Sequence, residues 1–232
     1  VGSDVFLHGD LSNSHLALHG AAGFIAAGFA QGFLGGGHEL AVHFQAQTLL
    51  GKLGFEHIDL LVDGLLHFLG SGGVFQGHRC LAQQLILPAR FFCPDDVDNI
   101  PTGELRSVDG TPMDFRTPKA IGRDIECDYE PLHLQTGYDH NWEVFCNPCA
   151  TLSDPVSGRV MTVYTDCPGM QFYAGNFLVD VPGKDGVVYP KRSGICLETQ
   201  YYPDSIHHPE WPQPITKAGQ PYHSETVYQF IW

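Results

Sequence analysis

The sequence predicts an all-β protein, an antiparallel β-sandwich, over residues 83–232. Four segments there are short and rich in β-branched or aromatic residues, namely 160–164, 170–178, 195–201 and 225–230. Turn signals separate the strand-like segments, at 109–110, 157–158 and 184–186. Repeated short strands with frequent turns are typical of a sandwich, and a domain of this size buries a sizeable core.

Each predicted strand has its own justification in the sequence. The first, VMTVY, is mostly β-branched, and the second, MQFYAGNFL, is rich in aromatic residues. The third, ICLETQY, contains β-branched Ile and Thr and an aromatic Tyr, and the last, ETVYQF, combines β-branched with aromatic residues. These residue types favour a pleated, half-buried surface.

Residues 1–82 form a second, unlike segment that is rich in His, Gly and Leu. Residues 1–90 hold eight of the thirteen histidines but one of the sixteen prolines. Within 49–69, apolar residues recur at spacings near three and four, which predicts a helix. We expect this segment to be helical or disordered, and the sandwich domain to begin at about residue 83.

Charge and cysteine usage narrow the partners and the compartment. Twelve Lys plus Arg against 26 Asp plus Glu give a formal charge of −14, which disfavours nucleic acid and anionic membranes as partners. Seven scattered cysteines and the absence of a secretory signal favour a reducing, cytoplasmic location. The oligomeric state, monomer or homodimer, stays open.

Glu198 is the most informative single residue, because it lies in an otherwise apolar stretch. Ile195, Leu197 and Tyr201 surround it in sequence, and desolvation by such neighbours would raise the pKa of a carboxyl and make it a competent base near neutral pH. The alternative is an outward-facing strand residue, since alternation places Glu198 on the face opposite Leu197.

Several short sequence motifs together resemble those of one known family. They are IPTGE at 100–104, GYDHN at 137–141, PGMQFYAGNFL at 168–178 and GICLET at 194–199. In this order they resemble the aldose 1-epimerase family, the galactose mutarotases, from about residue 85 to 232, whereas residues 1–82 do not match. Family members are considerably longer, so we expect this chain to be incomplete at its start.

The resemblance implies a galactose mutarotase-like sandwich and an isomerase acting on free hexoses such as galactose and glucose. It implies that Glu198 is the catalytic base, and that Asp139 and Gln171 bind sugar hydroxyls. Taken alone, Asp139 would be a turn residue after Gly137, and Gln171 an ordinary strand residue. Phe172, Tyr173, Trp142 and Tyr201 are candidates for stacking on the sugar, although strand aromatics more often lie in a core.

The acid of the reaction is not identified by the sequence. The family uses a histidine, and His67 lies at about the corresponding distance before Ile100 without the flanking motif. Two alternatives therefore stay open: a sugar-binding or regulatory protein that lacks the acid, and a hexose-phosphate epimerase that uses Arg159, Lys191 or Arg192. No metal, nucleotide or redox cofactor is predicted, because the corresponding motifs are absent.

Overall fold

The computed structural model of the chain describes residues 27–35, 39–47, 79–182 and 188–231. The helix predicted within 49–69, the turn predicted at 184–186 and His67 lie outside these ranges. Strands dominate the described part, where helices are restricted to the short segments Arg79–Ala82, Ile121–Arg123, Glu130–Leu134 and Ser205–His207. No helix in these ranges is long and apolar enough to cross a lipid bilayer.

Fourteen strands occur in the described ranges, and they pair with one another in antiparallel fashion. In chain order they are β1 (Ala27–Gly35), β2 (Glu39–Gln47), β3 (Gln84–Ile86), β4 (Phe91–Cys93), β5 (Arg106–Ser107), β6 (Lys119–Ala120), β7 (Asp139–Glu143), β8 (Ala150–Ser153), β9 (Val160–Thr165), β10 (Gly169–Tyr173), β11 (Val181–Pro182), β12 (Val188–Tyr189), β13 (Cys196–Gln200) and β14 (His223–Ile231). The prediction of an all-β, antiparallel fold is therefore confirmed.

The strands form two large sheets and one two-stranded ribbon. The order of the larger sheet is β1-β2-β14-β9-β8-β3-β6, that of the second is β13-β10-β7-β4-β5, and the ribbon pairs β11 with β12. One hydrophobic cluster contains buried residues of both large sheets, among them Leu85 and Val163 from the first and Trp142 and Phe172 from the second. A core shared by two facing sheets is the arrangement of a β-sandwich.

The four strands predicted over 160–230 are present, with one difference in length. The strand predicted over 170–178 ends at Tyr173, because Gly175 adopts a φ of +69° that a continuing strand does not allow. The N-terminal segment also contains strands, since β1 and β2 pair with each other and β2 pairs with β14. The sequence pattern did not predict these two strands.

Alternation along β7 and β10 separates a core face from an outer face. His140 and Trp142 of β7, with Met170 and Phe172 of β10, are buried in the core. Because side chains alternate along a strand, Asp139, Asn141 and Gln171 lie on the opposite face. The five-stranded sheet therefore turns Trp142 and Phe172 inward and Asp139 and Gln171 outward.

Candidate active site

The three residues expected to form the site lie on the outer face of three neighbouring strands. In the pairing of β10 with β13, Gln171 is opposite Glu198. In the pairing of β10 with β7, Gln171 is opposite Asn141, and Tyr173 is opposite Asp139. Directly opposite and diagonal residues of paired strands share a face, so residues 59 positions apart in the chain meet here (198 − 139 = 59).

A chain of side-chain hydrogen bonds orients the polar groups of this face. Gln171 Nε2 donates to Asp139 Oδ1 at 2.9 Å. Gln200 Nε2 donates to Gln171 Oε1 and to Asn141 Oδ1, each at 3.3 Å. The amide of Gln171 is thus held between Gln200 and Asp139, and this holds Asp139 in turn.

The surroundings raise the pKa of both carboxyls of the site. For Glu198 the main cause is desolvation, and the negative charge of Asp139 adds to it. For Asp139 the cause is again desolvation, opposed by the hydrogen bond from Gln171. Glu198 is nonetheless exposed, so its carboxyl is reachable by a ligand while the protein around it weakens its hydration. That combination suits a base that accepts a proton from a ligand.

Two glycines permit the close approach of the strands that carry the site. Gly137 has a φ of +138°, and a Cβ there would lie 2.4 Å from Asn176 Oδ1. Asn176 Nδ2 donates to the carbonyl of Tyr138 at 2.9 Å, beside Asp139. A Cβ on Gly169 would lie 2.5 Å from Asn141 Oδ1 and 2.9 Å from the ring of Tyr202.

Replacing Gly169 with alanine should destabilise the protein by about 1–3 kcal/mol, as overpacking of a filled interior does. The new methyl group would displace the buried amide of Asn141, which Gln200 holds. Denaturant unfolding measures the effect. Gly194→Ala is the matched control, because a Cβ at Gly194 meets no atom within 4 Å. Equal stability of the two variants would contradict the packing described for Gly169.

The structure thus brings Glu198, Asp139 and Gln171 together, while their chemical roles stay predictions. Asp139 is the first residue of β7 rather than a turn residue. Two of the aromatics considered for sugar stacking, Trp142 and Phe172, are buried in the core and cannot serve, whereas Tyr173 shares the face of Asp139. Asn141 and Gln200 were not predicted to belong to the site. Alternation from Asp139 and from Glu198 nevertheless places both on this face.

Histidines do not contribute to this face within β7, β10 and β13. His140 is the one histidine of these strands, and it points into the core, where it is 1 % exposed. Burial lowers the pKa of His140 to about 3, so its ring is neutral at physiological pH. The described part of the site therefore offers carboxylates and amides, which suit a neutral ligand rich in hydroxyl groups.

These features define the class of the protein: an antiparallel β-sandwich with an anionic, hydrogen-bonding face on its smaller sheet. Residues 75–229 match the sequence model of the family described as aldose 1-epimerase. The chain belongs to the aldose 1-epimerase family. The match begins before residue 83, where the sequence analysis placed the start of the sandwich; the division into two domains stays a prediction.

Curated relatives and solved structures agree with this assignment. The galactose mutarotase of Mus musculus is 41% identical over 84% of this chain and 54% of its own length. The aldose 1-epimerase of Haemophilus influenzae is 37% identical over 67% of this chain and 46% of its own length. The chain therefore spans about half the length of these relatives.

Two solved structures share the fold. An aldose epimerase homologue from C. elegans matches with a TM-score of 0.62 and 20% identity, over 87% of this chain and 58% of that chain. A galactose 1-epimerase from Lactobacillus acidophilus matches with a TM-score of 0.57 and 21% identity, over 87% of this chain and 55% of that chain. The galactose mutarotase-like sandwich expected from the resemblance is thus confirmed.

Proposed function

We propose that this chain interconverts the α and β anomers of free aldohexoses such as galactose and glucose, with Glu198 as the base. One observation carries the proposal. An exposed carboxyl with a raised pKa lies next to Gln171, which is itself hydrogen-bonded to Asp139, on a single face. The names of the relatives, galactose mutarotase and aldose 1-epimerase, support the same reaction.

The reaction needs two coupled proton transfers. Ionised Glu198 takes the proton of the anomeric hydroxyl, an acid protonates the ring oxygen, and the bond between C1 and the ring oxygen breaks to give the open aldehyde. Rotation about the C1–C2 bond followed by reclosure in the reverse sense gives the other anomer and returns both protons. Desolvation raises the pKa of Glu198, which makes it a stronger proton acceptor for this exchange.

Asp139 and Gln171 hold the sugar in this proposal. Among the described residues, Asp139 accepts the hydrogen bond of Gln171 through Oδ1, and a carboxylate has further lone pairs that can accept from sugar hydroxyls. The second N–H of the Gln171 amide can donate to a sugar oxygen. The two side chains together offer an acceptor and a donor, which matches the dual character of a hydroxyl group.

A sugar-binding protein without catalysis is the second candidate. The observation that favours it is that His67, the candidate for the acid that the resemblance implies, lacks the flanking motif of the family. Binding of galactose without faster anomer exchange would identify this candidate.

We also propose a cytoplasmic location, which the seven free cysteines support.

A hexose phosphate is a poorer substrate for this site. Of the cations considered for it, Arg192 is buried, bonded to Glu126 and to the carbonyl oxygen of Thr136 at 2.9 Å. The formal charge of −14 also opposes a phosphate. Competition between galactose and galactose phosphate for the site tests this, and tighter binding of the phosphate would overturn the preference for a free sugar.

The proposed activity is tested at anomeric equilibrium by proton NMR. Exchange between the H1 signals of α- and β-galactose should accelerate in proportion to the concentration of the chain. Heat-denatured protein at the same concentration is the control. A folded sample that binds galactose without accelerating the exchange would replace the proposed function with the second candidate.

Replacing Asp139 with asparagine should weaken galactose binding by about 10- to 100-fold, because each lost charge-assisted hydrogen bond contributes about 1.5–3 kcal/mol. Calorimetric titration measures the affinity. Asp128→Asn is the control, since Asp128 is fully exposed. Of the galactose analogues that lack one hydroxyl group, the one that lacks the hydroxyl bound by Asp139 should bind the wild type and the Asp139→Asn variant with equal affinity. If the substitution weakened the binding of every analogue by the same factor, a direct contact by Asp139 would be contradicted.

A further inference from the structure

Asp95 lies at the end of the polar face, next to Asp139. In the pairing of β4 with β7, Cys93 is opposite Asn141. Continued two residues beyond the end of β4, this register places Asp95 level with Asp139 and on the same face. The negative charge of Asp139 acts on the carboxyl of Asp95, which is half-buried. Asp95 thus lies beyond Asp139, on the side away from Glu198.

A buried amide fixes the orientation of the Asp95 carboxyl. Gln135 is 2 % exposed, and its Nε2 donates to Asp95 Oδ2 at 3.1 Å and to Asn99 Oδ1 at 3.0 Å. When a carboxyl is protonated, the oxygen that accepts from an amide is its carbonyl oxygen, and the other oxygen carries the proton. A proton on Asp95 therefore belongs on Oδ1, where it can be donated.

The carboxyl is also within reach of a ligand. Asp95 lines a cavity of about 290 Å³ between the loop that follows β4 and the helix Glu130–Leu134. The other lining residues are Pro94, Asp96, Val97, Thr102, Arg106, Glu130, Pro131 and Leu134. Asp95 is thus not sealed in the core, although most of its surface is covered.

The charges around Asp95 favour its protonated form. Desolvation, then Asp139, and to a lesser degree Asp96 raise the pKa of Asp95 to about 7, against the hydrogen bond from Gln135. Glu130 lines the same cavity and adds a further acidic group, whereas Arg106, the cation among the described lining residues, is bound to Glu104 at 2.7 Å. The negative charge of Asp139 therefore favours the protonated form of the Asp95 carboxyl.

We propose that Asp95 is a further binding residue for the aldose: in its protonated form, its carboxyl donates a hydrogen bond to the oxygen of a sugar hydroxyl whose own hydrogen Asp139 accepts. The inference rests on the proposed function, because it places the sugar on the face of Glu198 and Asp139. A sugar hydroxyl both donates and accepts, so a carboxylate beside a carboxylic acid satisfies it completely. Ionisation of Asp95 removes the donor and sets two negative charges at one hydroxyl.

The test is the affinity for D-galactose at pH 6 and pH 8.5, measured by calorimetric titration of the full chain. The wild type should bind about tenfold more weakly at pH 8.5, because the protonated fraction of a group with this pKa falls more than tenfold over that interval. Asp95→Asn keeps a donor that does not titrate, so it should bind at both pH values within about threefold of the wild type at pH 6. Asp95→Ala should bind more weakly at both. Asp98→Asn, in the same loop but outside the cavity, is the matched control and should behave as the wild type does.

A second measurement follows the proton without the sugar. A carboxyl whose folded pKa lies above its unfolded value of about 3.9 contributes stability that is present at lower pH and is lost as the pH rises through about 7. The Tm of the wild type should therefore fall between pH 4 and pH 7 more steeply than that of Asp95→Asn. Equal slopes would overturn the proton on Asp95, and an equal pH dependence of galactose affinity in the two proteins would overturn the contact. A wild type that binds no galactose at either pH overturns the proposed function, and with it this contact.

Discussion

Replacing Glu198 with glutamine should lower the catalysed rate of anomer exchange by about 10²- to 10⁴-fold, the range that a positioned base contributes. Glutamine has nearly the same shape and keeps hydrogen-bonding groups opposite Gln171, but its amide cannot take the proton of the anomeric hydroxyl. The exchange of the H1 signals of galactose measures the rate. Galactose affinity should change far less than the rate, since Asp139 and Gln171 remain.

Glu143→Gln is the matched control for this substitution. Glu143 also lies in β7, on the same face as Asp139 by alternation, and is paired with Arg90 at 2.6 Å. Arg90 is 54% exposed, so solvent screens that ion pair and it adds little to stability. The control should retain nearly the full rate. Equal rates for the wild type and Glu198→Gln would remove Glu198 from the reaction.

Replacing Trp142 with alanine should destabilise the protein by about 3–5 kcal/mol, a large part of the stability of most domains. Trp142 is 1 % exposed, its ring packs between Phe92, Phe115 and Phe172, and its Nε1 donates to the carbonyl of Met113 at 3.1 Å. The substitution leaves a cavity behind the strand that carries Asp139. Denaturant unfolding followed by circular dichroism measures the change.

Trp142→Phe separates packing from the hydrogen bond. This variant keeps an aromatic ring in the cluster and loses the donor to Met113, so it should cost clearly less than the alanine variant. Unchanged stability of Trp142→Ala would show that the inner face of β7 does not support the fold. The same result would remove the physical reason for assigning Trp142 to the core rather than to the sugar.

The sequence predicted those parts of the fold and the site that depend on local residue patterns or on an ordered series of sequence motifs. The all-β class follows from short β-branched segments and turn residues, and Glu198 was recognised by its apolar neighbours. The motifs that contain Asp139 and Gln171 predicted that both residues belong to the site. None of these signals shows that the three meet, because strand pairing joins residues far apart in the chain.

Other parts of the site depend on which face a residue occupies, and this follows from strand pairing. Trp142 and Phe172 were candidates for stacking on a sugar, but alternation in β7 and β10 turns both into the core. Gln200 shares the face of Glu198 for the same reason and was overlooked. The closeness of Asp95 to Asp139 is recognised only from the register of β4 with β7, because nothing in the sequence around Asp95 connects it with Asp139.

Polarimetry of freshly dissolved α-D-galactose tests the central claim, that the face of Glu198, Asp139 and Gln171 interconverts the anomers of a free aldose. We expect the optical rotation to reach its equilibrium value faster with the wild-type chain than in buffer, at a rate proportional to protein concentration. We expect the Glu198→Gln variant to match the buffer. A demonstrably folded wild-type chain that leaves the rate at the buffer value would contradict the account.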